Sequence, residues 1–301
     1  MRIDEKRAAI TEEGRPVRKR RLRKFLIALL ILLLAAAILL VDSNTRIVTT
    51  DYELHYSDLP GAFDGFRIAV LSDIHAAQFG KDNSRLIARV RAAAPDIIAV
   101  TGDVIDNHKT PPLEEQLEII RTLIIGLTPI APVYYITGNH EWDSGGIKPL
   151  LSMLGDLGVT ILRNKYTKLD KNGESIILAG TDDPNGPADM IKPDVFVENI
   201  KKAEGDCFIV MLEHRNNNLA LYSELGVKLV LCGHAHGGII RLPFTDGLIG
   251  PQRDWLPTHT SGVYTSGGTS MIVSRGLGNH TGYPRFLNNP QIVVATLRAG
   301  N

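Results

Sequence analysis

Hydrophobic and polar positions fall into two unlike patterns along the chain. Phe25 to Val41 is an unbroken apolar run of seventeen residues, FLIALLILLLAAAILLV, with no glycine, proline or polar side chain. Beyond it the apolar residues come in short runs of strand length: Arg67-IAVL, Asp96-IIAV, Pro132-VYYI, Ser175-IILA, Cys207-FIVML and Lys228-LVL. Each is bounded by polar or glycine signals. Runs apolar on both faces predict central strands of a covered sheet. Between several of them the spacing changes to a helical one. Leu113, Leu117, Ile120 and Ile124 keep one face, and Leu86, Ile87 and Val90 keep another. Ile47 to Tyr56 mixes β-branched and aromatic residues as a strand does, and Leu59-Pro60-Gly61 closes it in a turn. Lys171-Asn172-Gly173 and Ser266-Gly267-Gly268 predict hairpins, so antiparallel strands are expected late in the chain. The expectation is an α/β domain with mixed sheets.

As a helix the first run spans about 25 Å, slightly less than the roughly 30 Å hydrocarbon core, and the stems of Arg23 and Lys24 can reach across the shortfall. It predicts a membrane segment. Charge sharpens this. The whole chain is neutral, with 33 Lys+Arg against 33 Asp+Glu. Residues 1–24, however, hold ten basic and four acidic residues, a balance of +6, which leaves 23 basic and 29 acidic residues, or −6, for the remainder. By the positive-inside rule the tail faces the cytoplasm and everything after Val41 lies on the far side. The run exceeds a secretory h-region of about 7–15 residues, and Val41-Asp42-Ser43 is only a passable cleavage site, so an uncleaved signal-anchor is expected. The organisation is then a basic cytoplasmic tail (1–24), a single transmembrane signal-anchor helix (25–41), a linker with a first strand (42–64) and a domain outside the cytoplasm (65–301).

Ordinary globular composition, 44% apolar and 22% charged, excludes a disordered chain. An acidic remainder without a basic stripe argues against a nucleic-acid partner. A monomer is expected. Cys207 and Cys232 sit near opposite ends of two strands, about five residues out of step if those strands are parallel. That is about 16 Å, too far for a disulfide, so two free thiols are expected.

Candidate chemistry lies where the apolar runs end. Five of them finish in metal-type ligands: Ser72-Asp73-Ile74-His75, Gly102-Asp103-Val104-Ile105-Asp106, Gly138-Asn139-His140-Glu141, Glu213-His214 and Gly233-His234-Ala235-His236-Gly237-Gly238. In open α/β sheets the carboxyl ends of strands gather around one crevice. The order of these motifs resembles that of the calcineurin-like metallophosphoesterases, over roughly residues 65–298. The stretches Gly233 to Pro243 and Ile272 to Gly278 resemble its YkuE-like, membrane-tethered branch. The resemblance implies a four-layer α-β-β-α sandwich with two mixed β-sheets. It also implies two divalent metal ions, with Asp73, His75 and His236 on the first, Asn139, His214 and His234 on the second, and Asp103 bridging them. Oxygen and imidazole donors without thiolate suit Mn, Fe or Zn, and manganese is expected. His140 would assist the leaving oxygen and Asp106 would fix its ring. Water activated between the cations would attack phosphorus in line. One departure stands out: Glu213-His214-Arg215-Asn216 replaces the Ser-His-x-Pro often found in the family, which puts the local loop shape in question but not the ligand.

Arg241 and Arg275 are candidate substrate-binding residues, each with a surface salt bridge as the plain alternative. The long segment from Ile239 to Gly262 is expected to overhang the site. Trp142 and Trp255 either wall an acyl chain or pack in the core. His108 stands beside the second motif. The leading expectation is a membrane-anchored phosphodiesterase or pyrophosphatase acting on a phosphorylated small molecule or a lipid-linked substrate. A phospholipid, or a reaction like that of UDP-diacylglucosamine pyrophosphatase, is the sharpest form the resemblance permits, although the latter belongs to the cytoplasmic side. The alternative is a tethered binding or scaffold protein with a spent site.

Overall fold

The computed structural model describes residues 14–107, 111–187, 190–242, 244–250, 254–279 and 282–300, with only the backbone of 14–18. The first thirteen residues, His108, Pro243, Pro251 and His280 lie outside the described residues. The chain divides into two units, residues 1–42 and 43–301. The apolar run lies in helix α1 (Gly14–Thr45), whose segment Lys19–Thr45 is a candidate membrane span of 27 residues. At 1.5 Å per residue it extends about 40 Å, enough by length and composition to cross a bilayer.

The second unit is built on two six-stranded sheets. The first contains β1 (Val48–Tyr56), β2 (Arg67–Leu71), β3 (Ile97–Thr101), β4 (Val133–Ile136), β5 (Thr160–Ile161) and β12 (Gln291–Ala299), in the order β1-β12-β2-β3-β4-β5. The second contains β6 (Lys165–Lys171), β7 (Glu174–Gly180), β8 (Ile209–Leu212), β9 (Leu229–Cys232), β10 (Gly262–Ser266) and β11 (Thr269–Val273), in the order β10-β11-β9-β8-β7-β6. Both hairpins form, β6 with β7 and β10 with β11, and β12 runs antiparallel to β2. Strands β2, β3 and β4 are parallel, as are β7, β8 and β9, so their carboxyl ends lie along one edge of each sheet. β1, from the segment read as linker and first strand, pairs in parallel with β12 along all nine residues.

Alternation explains the doubly apolar runs. Ile68 and Val70 of β2 face the core between the sheets, while Ala69 and Leu71 face an outer core. That outer core is filled by Leu86 and Val90 of α2 (Ser84–Ala92), Ile120, Leu123 and Ile124 of α3 (Leu113–Leu127), and Leu150 and Leu154 of α5 (Ile147–Asp156). On the other sheet Val210 and Leu212 point inward, and Ile209 and Met211 meet Val197 and Ile200 of α6 (Pro193–Glu204) and Tyr222 of α7 (Leu219–Glu224). Each central strand is thus sandwiched on both faces, the four-layer arrangement of helices, sheet, sheet and helices. Both cysteines are free thiols. The β8–β9 register brings Cys232 opposite Glu213, six residues beyond Cys207, a separation of about 20 Å.

Candidate dinuclear metal centre

The loops that leave β2, β3, β4, β8 and β9 carry all seven predicted ligands, and the fold brings these together. Asp73, His75 and His236 form one cluster and Asp103, His214 and His234 another, each with its ligand atoms within 4.8 Å of one another. Asn139, the first residue of the short helix α4 (Asn139–Asp143), joins the second cluster through Oδ1, 3.3 Å from His214 Nε2. Asp103 Oδ2 stands between the clusters, 3.1 Å from His214 Nε2 and 3.9 Å from His75 Nε2. Five of these residues, Asp73, His75, Asp103, His234 and His236, hold φ between 47° and 66°. That left-handed backbone costs on the order of 1 kcal/mol each, so the packing of the two sheets must hold these turns in place.

Donor chemistry tests whether cations fit. His75 Nε2 faces His236 Nε2 at 3.2 Å, and His234 Nδ1 faces His214 Nε2 at 3.2 Å. Facing ring nitrogens need a shared proton or a shared cation. Asp73 and Asp103 are fully buried, and their ion-pair partners among the described residues are all histidines. Burial pushes Asp73 up to about 6. For His214 burial opposes the charged form, yet Asp103 overrides it and raises the ring to about 10. Asp103 itself is held well below the carboxylate range, because the charge of and hydrogen bond from His214 outweigh its desolvation. The pocket therefore demands positive charge between its carboxylates, as two divalent cations would provide.

His140 belongs to neither of these clusters but forms a third group of candidate ligands with Asp106 and His75. Its Nδ1 is 3.2 Å from Asp106 Oδ1, its backbone N–H donates to Asp103 Oδ1 at 2.8 Å, and its ring meets that of His75 edge-on at 4.7 Å between centroids. Burial alone would lower its affinity for a proton, but Asp106 and Asp103 reverse this and raise it. The carboxylate of Asp106 is 4.0 Å from His75 Nδ1 as well.

The two arginines singled out from sequence take other positions. Arg241 Nη1 donates to the carbonyls of Gly237 and Asp246 and to Thr260, and Nη2 donates to Thr245, so it braces the loop that follows His236. Arg275 is half-buried; desolvation first, then the charge of Arg241, holds its guanidinium below the ordinary value. Within the long loop, Trp255 and Phe244 are exposed, so Trp255 is no core residue. Trp142 is half-buried, with Arg163 4.9 Å over its ring and its Nε1–H donated to Thr137. Arg215 spans two cavities beside His214. It clamps Asp183 with Nε and Nη2 at 2.8 and 3.0 Å and reaches Asn185 at 3.0 Å. The larger cavity, about 430 Å³, is also lined by Asn216, His234, Asp254 and His259.

Several supports were not picked out from sequence. Glu141, fully buried, accepts backbone N–H bonds from Asp103, Val104 and Gly138 at 3.0, 2.6 and 2.7 Å, tying the second motif loop to the third. Burial, then the charge of Asp103, pushes it up to about 7 against those bonds. The glutamate of Gly-Asn-His-Glu was the available signal. Gly138 and Gly233 allow close approach: an added Cβ would lie 2.3 Å from Asp103 Oδ1 at the first and 2.3 Å from Asp73 Oδ2 at the second. Arg285, fully buried behind His236, carried no motif signal at all.

Residues 66–238 match the family described as calcineurin-like phosphoesterase. The chain is similar to the uncharacterized metallophosphoesterase YkuE of Bacillus subtilis, 32% identical over 258 residues that cover 85% of this chain and 87% of that protein. It is also similar to a zebrafish (Danio rerio) transmembrane protein with metallophosphoesterase domain, 27% identical over 72% of this chain but half of the relative. Among solved structures, Haemophilus influenzae NAD nucleotidase superposes with a TM-score of 0.48 at 15% identity, over 69% of this chain and 44% of that one. With over half its length matched by the family and the five ligand-bearing loops converging on one carboxylate, this chain belongs to the calcineurin-like phosphoesterases, metal-dependent enzymes that cleave phosphate esters.

Proposed function

We propose that the protein is a membrane-anchored, dinuclear phosphoesterase that hydrolyses a phosphodiester or pyrophosphate bond on a lipid-linked substrate. The observation that carries the reading is the position of Asp103 Oδ2 between the two histidine clusters, 3.1 Å from one and 3.9 Å from the other. Asp73, His75 and His236 would hold one cation, Asn139, His214 and His234 the other, and Asp103 both. Two such cations supply Lewis acidity and lower the pKa of water toward neutrality. The remaining work belongs to the chain. His140, oriented by Asp106, offers a proton to a phosphoryl or leaving oxygen. Arg215, its plane fixed by Asp183, faces the 430 Å³ cavity beside His234, a suitable bay for the polar part of the alcohol or phosphate that departs. The apolar helix and the basic tail support a membrane anchor with the tail in the cytoplasm and the domain outside. Manganese is the proposed metal, and a monomer that binds no nucleic acid the proposed state.

The test uses the purified full chain in detergent with manganese, assayed against nucleotide diesters, nucleotide-sugar lipids and phospholipids. Metal analysis should find two ions per chain, and Asp103→Asn should abolish turnover of the preferred substrate. Undiminished turnover after Asp103→Asn, or after full chelation, rejects a two-metal mechanism. A chain that binds metal and hydrolyses none of the panel would favour the tethered binding protein.

A further inference from the structure

Behind the first ligand cluster lies a cavity of about 230 Å³ that none of the seven predicted metal ligands lines. Its charged walls are Arg85, at the start of α2, and Arg285. Arg285 is 2% exposed. Its Nε and Nη2 both donate to the carbonyl of Gly278, and Nη2 lies 3.4 Å from His236 Nδ1. Nη1 is buried without a hydrogen-bond partner, and among the described residues no carboxylate forms an ion pair with this guanidinium. A buried cation with an unused donor is costly unless an anion joins it. Arg85 is exposed, and among the described residues its one side-chain hydrogen bond is from Nη2 to the carbonyl of Thr45, at 3.1 Å, with no ion pair to an acid. Burial holds the Arg285 guanidinium below its ordinary value; the charge of Asp73 offsets part of this, the positive charge of Arg275 adds to it, and Arg241 and Arg46 act in the same sense on Arg275. A unit whose sequence is acidic in sum thus gathers arginines at one place.

That place is where the chain leaves the apolar helix. Asn44 exchanges two hydrogen bonds with the backbone of Arg285, and both Asn44 and Thr45 line the cavity. Asn44 is three residues from Val41, the end of the apolar run, hence within about 11 Å of it along the chain. Phosphate-bearing headgroups occupy that depth of a bilayer. Arg241, whose backbone bonds Phe286 beside Arg285, leads directly to the exposed side chains of Leu242 and Phe244.

We propose that the cavity between Arg85 and Arg285 is an anion site that takes a phosphate group, from a lipid headgroup or from free phosphate, apart from the metal centre. A buried and an exposed guanidinium on the walls of one cavity offer a phosphate donors from two sides. The site does not depend on the hydrolytic reading, and its deciding readout is binding, with hydrolysis measured only as a control.

The experiment titrates the full chain in detergent with inorganic phosphate and, separately, with water-soluble dihexanoyl phosphatidylglycerol, by calorimetry, with metals bound and after chelation. Chelation removes phosphate binding at the metals. One equivalent of one or both probes should remain bound after it. Arg85→Gln should weaken that binding at least tenfold while metal content and turnover of a chromogenic phosphodiester stay within twofold of the parent. Arg285→Met should abolish it, and because this variant can disturb folding, the Arg85→Gln result decides. Retention of phosphate alone identifies a free-phosphate site, and retention of the lipid, alone or in competition with phosphate, a headgroup site; both support the proposal. Binding of neither probe after chelation, or binding unchanged by Arg85→Gln, overturns it. Loss of hydrolysis with retained binding would fail the metal reading and leave this one standing.

Discussion

Gly138→Ala isolates the geometry of the bridging carboxylate. Gly138 has φ −109° and ψ −171°, extended backbone that alanine adopts freely, so the substitution tests space and not conformation. The new methyl would lie 2.3 Å from Asp103 Oδ1, 2.6 Å from Asp103 N and 2.8 Å from Asp103 Cγ. Comfortable separations are about 3.5 Å, so Asp103 and residue 138 must part by on the order of 1 Å. Neither can yield alone. Asp103 N and Gly138 N are tied to the same Glu141 oxygen, and Asp103 Oδ1 accepts from His140 N. Overpacking of this kind costs about 1–3 kcal/mol of stability, which at about 2–4 °C per kcal/mol lowers Tm by on the order of 5 °C. The larger effect falls on turnover, since a misplacement of about 1 Å can cost on the order of 10²-fold. The assay is kcat on bis(p-nitrophenyl) phosphate at saturating manganese, with metal content measured on the same sample. Gly155→Ala is the control: nothing lies within 4 Å of its added Cβ in α5, and it should stabilise by about 0.5–1 kcal/mol with kcat unchanged. A folded Gly138→Ala protein with parental kcat would refute the argument that Asp103 must stay where it stands.

Other outcomes follow from single contacts. Glu141→Ala strands three buried N–H groups at about 1–3 kcal/mol each, so urea unfolding should show a loss of at least about 3 kcal/mol, and equilibrium dialysis a weaker hold on metal. Asp106→Asn should leave metal content intact and lower kcat by roughly 10-fold or more, with least effect on substrates whose leaving group needs no proton; equal loss on all substrates would deny that Asp106 works through His140. Burial raises the Cys232 thiol well above its ordinary value and raises Cys207 too, so iodoacetamide at neutral pH should label Cys232 only after unfolding and Cys207 slowly. Intact mass under non-reducing conditions should show no disulfide between them.

What could be read from the sequence was whatever has a period or a motif. Ile68-Ala-Val-Leu71 announces a strand covered on both faces because alternate residues enter different cores, and Asp73-Ile74-His75 announces its carboxyl end. The seven candidate ligands were legible as a set since they follow the ends of such runs. Arg285 was not, because its meaning comes from burial behind His236 and a lone arginine in a loop has no pattern. The contacts of Arg241 were equally hidden: five residues past His236 it looks free, yet its guanidinium donates to loop carbonyls. The role of Glu141 needed the three amides it gathers, two of them 37 or 38 residues away in sequence.

The pairing of β1 with β12 has a mechanical side. With α1 held in a bilayer as proposed, a drag on the domain is met first by the hydrogen bonds of Ser43 and Asn44 with Leu287 and Arg285 and then by the amino end of β1. Parallel pairing presents evenly spaced hydrogen bonds across nine residues, and a pull along the strand loads them in shear, together, rather than opening them one at a time from an end. The tether is thereby fastened at the edge of the first sheet. The turns that carry Asp73 and Asp103 lie beyond β12, on β2 and β3, shielded from that load by a strand that does not itself bear a ligand.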